Sequence, residues 1–406
     1  MKTKNILMAW FVLSFGATYA QDTIQTQINT LKDEIKSLKK EDKTHFMMRG
    51  FGQYGFQASS EDVNFSMTSF NPILLWRHGN HFLFESELEM EYMTNQLEIN
   101  LGYADASYIV SKGLIIRVGK FLLPFGTFTE KFHPSWVNKF STAPLGFGHD
   151  GIAPSADIGA EIRGGLQLGA SKLNYSLYVV NGPGIKDGTE EPEEAGMLSF
   201  ANSTDNNKNK AIGGRIGYLP LSNSSLEIGA SGYYAMPGSE HSPFEGDSLN
   251  EDIMYNDVIA LLTAFDLSYV KIISPLKGII DIKGQYNLSN VSNANYFNAE
   301  DTSRYTFANK SNSYYVQMAF RPALVESKLI KSMELVGRYS VYNTPEGSLW
   351  ENSQSQIDIG INYWFNWRTV LKMSYQITEE TMSGSEMSHM GSMSNNAFLV
   401  HLAFGL

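Results

Sequence analysis

The chain has 406 residues, a formal net charge of -11 and no cysteine. An acidic balance argues against nucleic acid as a partner, because binding phosphates requires a basic face. The lack of cysteine excludes a lipoprotein attachment site, thiolate metal sites, thiol catalysis and disulfide bonds.

The N-terminus has the features of an export signal. Lys2 and Lys4 precede an apolar stretch, and small residues that end at Ala20 follow it. This order is typical of a secretory signal peptide, and the apolar stretch is shorter than the roughly 20 residues that a membrane-spanning helix needs. We therefore predict a signal peptide at residues 1–20, cleaved near Ala20. No later apolar run is long enough for a helical span, so a membrane form of the mature chain requires a closed sheet.

A short helical pattern follows the predicted signal. Its aliphatic residues are spaced alternately by four and three positions: Ile24, Ile28, Leu31, Ile35 and Leu38. This heptad spacing predicts a helical, coiled-coil-like stalk over residues 21–45, although it is shorter than the roughly 3 to 4 heptads of a secure coiled coil. A solvated amphipathic helix or linker is an equally good interpretation.

From Phe46 onward the sequence pattern has a period of two. In segment 82–92, apolar residues alternate with glutamates, which are Glu85, Glu87, Glu89 and Glu91. In the next segment Leu97, Ile99, Leu101 and Tyr103 share the apolar parity. Segments 280–288 and 356–365 show the same alternation. Since side chains alternate across a strand, each segment has one apolar and one polar face, as the strands of a membrane β-barrel do.

About sixteen segments are predicted to be strands, an even number that suits a single-chain bacterial barrel. They cover residues 47–57, 63–77, 81–93, 96–111, 113–121, 157–169, 171–181, 209–220, 224–236, 257–274, 277–290, 313–323, 332–343, 354–366, 368–379 and 396–406. Connections between them alternate between mostly short turns and a set that includes the long segments 122–156, 182–208, 237–256 and 291–312. Outer-membrane barrels alternate in this way, with short periplasmic turns and longer external loops. We predict an all-β, antiparallel transmembrane barrel at residues 46–406.

Several blocks of sequence carry a resemblance to a known family. The clearest are YADASY at 103–108 and IRVGKFLLPFG at 116–126. Further blocks lie at 175–182, 214–217, 226–234, 314–317, 320–322, 334–336, 338–340 and 360–365. In this order and spacing the chain resembles the phosphate-selective porin O and P family over most of its length after residue 46.

This resemblance implies a trimeric outer-membrane channel of 16 strands. The predicted stalk at 21–45 would lie in the periplasm. The resemblance also implies passive diffusion of small polar or anionic solutes, with phosphate or pyrophosphate as candidates, through a lumen narrowed by an inward-folded third loop at 122–156. That segment is much longer than a connector needs and carries aromatic residues, which is consistent with an inward path. The alternative function is a barrel that serves as an anchor or surface adhesin without an open channel.

Charged residues are the candidate lining of the pathway. The basic candidates, which suit an oxyanion by charge and by forked hydrogen bonds, are Arg117, Lys120, Lys131, Lys139, Arg163, Arg215, Lys283 and Arg338. Further lumen bases are Arg49 and Lys372. The acidic candidates are Glu85, Glu87, Glu89 and Glu91, with Glu98, Glu161 and Asp266. We hypothesise that Lys120, Lys131 and Lys139 line the narrowest point; the alternative is a solvated wall whose paired charges keep the pore hydrated.

Other chemistry has little support in the sequence. The eight histidines are scattered, and neither a Gly-x-Ser-x-Gly nor a His-Glu-x-x-His motif occurs, so no enzyme activity is expected. A methionine-rich segment at 382–393 could hold a soft metal such as Cu(I), but a flexible loop is the better interpretation, and no cofactor is expected.

We expect the partners of a Gram-negative outer-membrane protein. These are membrane lipid and lipopolysaccharide, small polar solutes or anions, two further copies of the chain in a homotrimer, and the barrel-assembly machinery. The last strand has the alternating apolar face of a barrel-assembly signal and ends at the carboxyl terminus, at Leu406.

Overall fold

The computed structural model describes residues 32, 44–60, 63–93, 96–148, 151–189, 191–200, 207–243, 251–298, 303–382 and 393–406. The predicted signal peptide, nearly all of the predicted stalk at 21–45 and most of the methionine-rich segment lie outside the described residues. No helix in the described ranges is long and apolar enough to cross a membrane.

Twenty strands are present in the described chain, and sixteen of them form one closed antiparallel barrel. The barrel strands are β1 (His45–Ser59), β2 (Val63–His78), β3 (Phe82–Met93), β4 (Gln96–Ser111), β5 (Leu114–Leu122), β6 (Ala156–Leu168), β7 (Ser171–Val180), β10 (Ala211–Leu219), β11 (Leu226–Ala235), β12 (Ala260–Ile273), β13 (Gly278–Val291), β16 (Lys310–Arg321), β17 (Met333–Asn343), β18 (Asn352–Trp364), β19 (Thr369–Met382) and β20 (Met393–Gly405). Two small hairpins outside the barrel pair β8 (Gly184–Ile185) with β9 (Leu198–Ser199) and β14 (Tyr296–Phe297) with β15 (Arg304–Tyr305).

Each barrel strand pairs with the next barrel strand along the chain, and β20 closes the ring on β1. Closure satisfies every strand edge, which is a requirement for a sheet in lipid. The predicted all-β antiparallel barrel of 16 strands is thus confirmed, whereas the predicted coiled-coil-like N-terminal segment lies almost wholly outside the described residues. Each predicted strand overlaps one barrel strand, with ends that differ by at most three residues.

Apart from Lys32, which is helical, the helical structure in the described residues is confined to connections. It comprises an α-helix at Lys328–Ser332, a π-helix at Phe128–Phe132 and 3-10 turns at Pro192–Glu194 and Ser274–Leu276. Ser327 caps the α-helix, because its side chain accepts a hydrogen bond from the Ile330 N–H.

The two ends of the barrel differ in the length of their connections. At one end, which we call the turn end, strands are joined by short segments, the longest being 322–332. All the long connections lie at the opposite loop end, as predicted, although the first two there, 60–62 and 94–95, are short.

The two faces of the wall differ in polarity. On β13, Tyr286 and Leu288 are 37% and 38% exposed, whereas the intervening Gln285 and Asn287 are 4% and 1% exposed. Most exposed large apolar side chains of the other strands follow the same alternation, which is lost near the turn ends of β1, at Met47, and β12, at Val270 and Ile272. The outer face is therefore apolar and the inner face largely polar, as the period of two predicts.

One face assignment from the sequence is wrong. The β3–β4 register shifts between Glu87 and Leu88, so that Gly102 is an extra residue on β4. Beyond this bulge the side chains change faces. Tyr103 therefore lies on the inner face, opposite Glu87, instead of beside Leu101 on the outer face.

The inner face also carries an apolar cluster near the loop end. Tyr178 on β7 and Tyr233 on β11 are each 2% exposed and pack with Phe121, Tyr255 and Tyr296. Part of the interior is thus filled by packed aromatic side chains, which the alternating pattern does not predict.

Candidate functional site

Loop 3, defined as residues 123–155 between β5 and β6, contacts the opposite wall through its main chain. The N–H of Gly126 donates to Ser231 Oγ on β11 at 3.0 Å, and the next two N–H groups donate to Gln285 Oε1 on β13 at 2.8 and 3.0 Å. Gly126 has a φ of 66°, and a Cβ atom there would overlap the Gln285 amide. Both the backbone conformation and the close approach therefore require glycine.

A buried lysine on β19 holds the middle of loop 3. Lys372 is 2% exposed, and its ammonium donates to the carbonyl oxygens of Asn138 at 2.6 Å, Phe140 at 3.0 Å and Ser135. Three carbonyl acceptors satisfy the three N–H bonds of an ammonium group. Lys372 therefore lies on the inner face, as predicted, but binds the loop main chain.

Arg338 on β17 makes the next attachment. Its Nε donates to Asp358 Oδ2 at 2.8 Å, and its two Nη atoms donate to the carbonyl and hydroxyl oxygens of Thr142 at 2.9 and 3.2 Å. The Phe140 ring covers the guanidinium, with the Cζ atom 4.7 Å from the ring centroid. One arginine thus joins two wall strands to loop 3.

Two lysines of loop 3 pair with carboxylates of the wall. Lys139 Nζ lies 2.7 Å from Glu334 Oε1, and Lys131 Nζ lies 3.1 Å from Glu227 Oε1. Glu227 also accepts from Arg215 at 2.9 Å. Together with the preceding contacts, these pairs attach loop 3 to the inner face of β11, β13, β17 and β19.

Seven of the eight predicted basic residues form ion pairs on the inner face. The pairs and their shortest N–O distances are Arg117–Glu161 (2.5 Å), Arg163–Glu130 (2.6 Å), Arg215–Asp266 (2.6 Å), Lys131–Glu227 (3.1 Å), Lys139–Glu334 (2.7 Å), Lys283–Asp281 (2.5 Å) and Arg338–Asp358 (2.8 Å). The structure thus brings these bases together with an equal number of carboxylates, which leaves little net positive charge for attracting anions.

Five of the pairing carboxylates were not among the acidic candidates, although the alternating pattern places two of them, Asp281 and Asp358, on the polar face. The five are Glu130, Glu227, Asp281, Glu334 and Asp358. Strand parity places Asp281, which lies two residues from Lys283, on the same face, but does not show that the two side chains pair. The ion pairs between loop 3 and the wall depend on the path of the loop. No local sequence pattern indicates that path.

Lys120 is the exception among the predicted bases. It pairs in register with Ala104 and Ile158 and has the parity of Ile116 and Val118, which are exposed on the outer face. Its Nζ lies 2.5 Å from the Leu101 carbonyl oxygen. The expectation that Lys120 lines the lumen is therefore wrong, because Arg117 and Lys120 are three residues apart and point to opposite faces of β5.

Five of the acidic candidates, together with Asp105, lie on the inner face of β3 and β4, whereas Glu161 and Asp266 lie on β6 and β12. Glu85 pairs in register with Asp105, and Glu91 pairs with Glu98. Glu87 is 1% exposed and accepts a hydrogen bond from Asn71 at 3.2 Å. The inner face also includes Glu89. Neither β3 nor β4 contains a lysine or arginine, and none of the loop 3 contacts above involves these strands. We call this surface the acidic wall.

Segments at the loop end pack together above the barrel strands β7–β18. Trp350 Nε1 donates to the Ala195 carbonyl oxygen at 3.1 Å, and Asn309 Nδ2 donates to that of Gly196 at 2.7 Å. Tyr296 stacks on Tyr255 with ring centroids 5.7 Å apart. This cap covers the side of the barrel opposite the acidic wall.

The comparisons with known proteins identify the fold. No protein-family profile matches the chain, and no curated protein matches it significantly. Among solved structures, it is similar to an anion-selective porin from Comamonas acidovorans, with 12% identity, a TM-score of 0.54 and coverage of 90% of this chain and 100% of the other. The outer-membrane channel DcaP of Acinetobacter baumannii shows 10% identity, a TM-score of 0.57 and coverage of 90% and 99%.

OmpF of Salmonella typhi, in complex with daunomycin, shows 12% identity, a TM-score of 0.54 and coverage of 89% and 97%. At such identities the similarity defines the architecture alone. The chain has the fold of outer-membrane porins, and its likeness to the phosphate-selective branch remains a resemblance in sequence.

Proposed function

We propose that this protein is a passive diffusion channel of the Gram-negative outer membrane, with small polar solutes as its substrates. The observation that carries the proposal is a closed barrel with an apolar outer face and a charged inner face. An apolar outer band suits lipid, and a hydrated inner wall suits solute passage. The comparable folds of known porins add support.

We infer that loop 3 constricts the channel and that solutes pass between this loop and the acidic wall. The loop is attached to the wall strands opposite β3 and β4 by Lys372, Arg338 and Lys139. The cap lies on the same side as those attachments. Both features support a single path along β2–β4, where the neighbouring loop-end connections are short.

The charge distribution favours cations over anions. The seven ion pairs neutralise the bases, while the acidic wall adds Glu85, Glu87, Glu89, Glu91 and Glu98, beside Asp105, which lies 4.0 Å from Arg117. A pore lined by carboxylates concentrates cations. Phosphate transport, which the sequence resemblance implies, would instead require bases that are free to contact the anion.

We further propose that the chain is exported by its signal peptide, is inserted by the barrel-assembly machinery through β20, contacts lipopolysaccharide and assembles as a homotrimer. The heptad pattern at 21–45 would place a stalk in the periplasm. Transport, and not catalysis, is then its activity.

Liposome swelling tests the channel function. Liposomes that contain the refolded protein should swell in uncharged sugars at rates that fall with sugar size, whereas protein-free liposomes should not swell. If liposomes with the protein swell no faster than protein-free liposomes in any of the sugars, the alternative of an anchor or adhesin is favoured. Swelling in potassium phosphate that is faster than in potassium chloride would favour phosphate selectivity over the cation preference.

A further inference from the structure

A cavity of about 430 Å³ lies at the loop end, between the cap and the inner face of the barrel. Its lining comes from three parts of the chain: loop 3 at Gly151 and Ile152, the cap, and the strands β13, β16 and β17. The volume falls within the roughly 300–1,000 Å³ range of small-molecule sites. Since β13 and β16 lie across the barrel from β3 and β4, the cavity is outside the solute path proposed along the acidic wall.

Uncharged hydrogen-bonding groups form one part of the lining. Ser289 on β13 and Ser311 on β16 are buried and paired in register on the inner face. Beside them, Asn309 donates from its amide nitrogen to the Gly196 carbonyl at 2.7 Å and to the Tyr296 hydroxyl at 3.3 Å, which fixes its orientation. Hydroxyl and amide groups both donate and accept hydrogen bonds. This part of the lining therefore suits a ligand that carries several hydroxyl groups.

Aromatic rings form another part of the lining, contributed by Trp350, Tyr342 and Phe200. The Trp350 indole is held by its hydrogen bond to the Ala195 carbonyl and by an edge contact with Phe307, with ring centroids 6.4 Å apart. Aromatic side chains combine an apolar face with a polar edge, so they can pack against the C–H face of a sugar ring. A ring that is already fixed loses little conformational freedom on binding.

The charges of the lining neutralise each other. Lys186 forms an ion pair with Glu194, and its Nζ also lies 2.7 Å from Glu191 Oε2. Lys186 and Glu194 are the charged members of the lining within the part of the chain that the structure describes. Binding phosphate requires bases that are free to contact the anion. The lining therefore favours an uncharged ligand.

We propose that this cavity binds a neutral saccharide of one or two rings. The hydroxyl groups of the sugar would bind at Ser289, Ser311 and Asn309, and the apolar face of one ring would pack against Trp350. The inference goes beyond the proposed diffusion channel, because it assigns a binding site that lies outside the solute path.

Isothermal titration calorimetry of the refolded full chain, in a detergent without a sugar headgroup, tests the proposal. The probes are glucose, galactose, N-acetylglucosamine, maltose and sucrose, with inorganic phosphate as a charged competitor. At least one sugar should bind, and phosphate should not displace it. Combining Ser289→Ala with Ser311→Ala should weaken binding at least tenfold. Ser374→Ala, at an inner-face serine of β19 outside the cavity, should leave it unchanged.

The absence of binding for all five sugars would overturn the proposal, as would equal binding by the wild type and the double serine variant. Displacement of a bound sugar by phosphate would also contradict an uncharged site. Heat-modifiable gel mobility confirms that each variant is folded.

Tryptophan fluorescence gives a second readout, which locates the ligand. The sugar that binds in calorimetry should change the emission of the wild-type protein. Trp350→Phe should lose most of this change, whereas Trp76→Phe, on β2 near the turn end, should retain it. A change that persists in full in folded Trp350→Phe would contradict the site.

These measurements do not require an open channel, so the site and the channel are tested separately. Sugar binding by protein that does not swell liposomes would remove only the channel, and swelling without sugar binding would remove only the site.

Discussion

Arg338 and Asp358 face each other across β17 and β18, with Nε 2.8 Å from Oδ2 and neither side chain exposed to solvent. The pair is directly in register, and the remaining guanidinium nitrogens reach Thr142 of loop 3. The same buried arginine therefore stabilises the pairing of β17 with β18 and holds loop 3 in place.

Asp358→Asn should destabilise the barrel strongly, because it leaves the buried guanidinium without a counter-charge. The loss should be roughly 3–5 kcal/mol, as for other broken buried pairs. The exposed pair Lys208–Glu240 provides the control, since Glu240→Gln should change stability by less than about 1 kcal/mol. Urea unfolding in detergent measures both; equal stabilities of the two variants would refute the role of the buried pair.

Lys372→Met should release the middle of loop 3. The substitution leaves three carbonyl groups without their donor and should destabilise the attachment by about 3 kcal/mol. The open-channel current noise should be higher than that of the wild type. Lys372→Arg, which keeps a cationic donor, should show noise between the two. Lys172→Met, at an exposed lysine near the turn end, is the matched control. Quiet currents from Lys372→Met would argue against an anchoring role.

Gly126→Ala and Gly169→Ala separate backbone strain from steric overlap. Both glycines have a positive φ, 66° and 63°, so alanine should cost about 1–2 kcal/mol at either position. A Cβ atom at Gly169 meets nothing within 4 Å, whereas at Gly126 it overlaps Gln285. Gly126→Ala should therefore lose roughly 1–3 kcal/mol more and should alter conductance. Similar unfolding midpoints for the two variants would contradict the close contact.

The acidic wall should set the charge preference of the pore. A triple variant carries Glu85→Gln, Glu89→Gln and Glu91→Gln. In a salt gradient its reversal potential should shift toward the value expected for an anion-selective pore. Glu379→Gln, on the outer face, should leave it unchanged. If the triple variant keeps the wild-type reversal potential, solutes do not pass along this wall.

The barrel itself could be predicted because its signal is local. Alternation of apolar and polar residues marks each strand, as in β13, and the closing strand β20 carries the same pattern. Tyr103 was misplaced because a single bulge at Gly102 reverses the faces, and a bulge has no reliable signature in one sequence. Lys120 was grouped with Arg117 despite its opposite parity, an error that strict counting would have avoided.

The partners of loop 3 could not be predicted in the same way. Lys139 and Glu334 are 195 residues apart in the chain, and Arg338 and Thr142 are 196 apart. Such contacts follow from the closed path of the wall and from the turn at Gly126. The sequence indicates the charges, and the fold determines that most of the bases are neutralised by carboxylates.

The reversal potential of the wild-type channel in a potassium chloride gradient tests the central claim most directly. The account predicts stepwise currents from the folded protein, with a reversal potential of the sign that indicates a preference for potassium over chloride. Folded protein that inserts into the bilayer without current, or a clear preference for chloride, would contradict it.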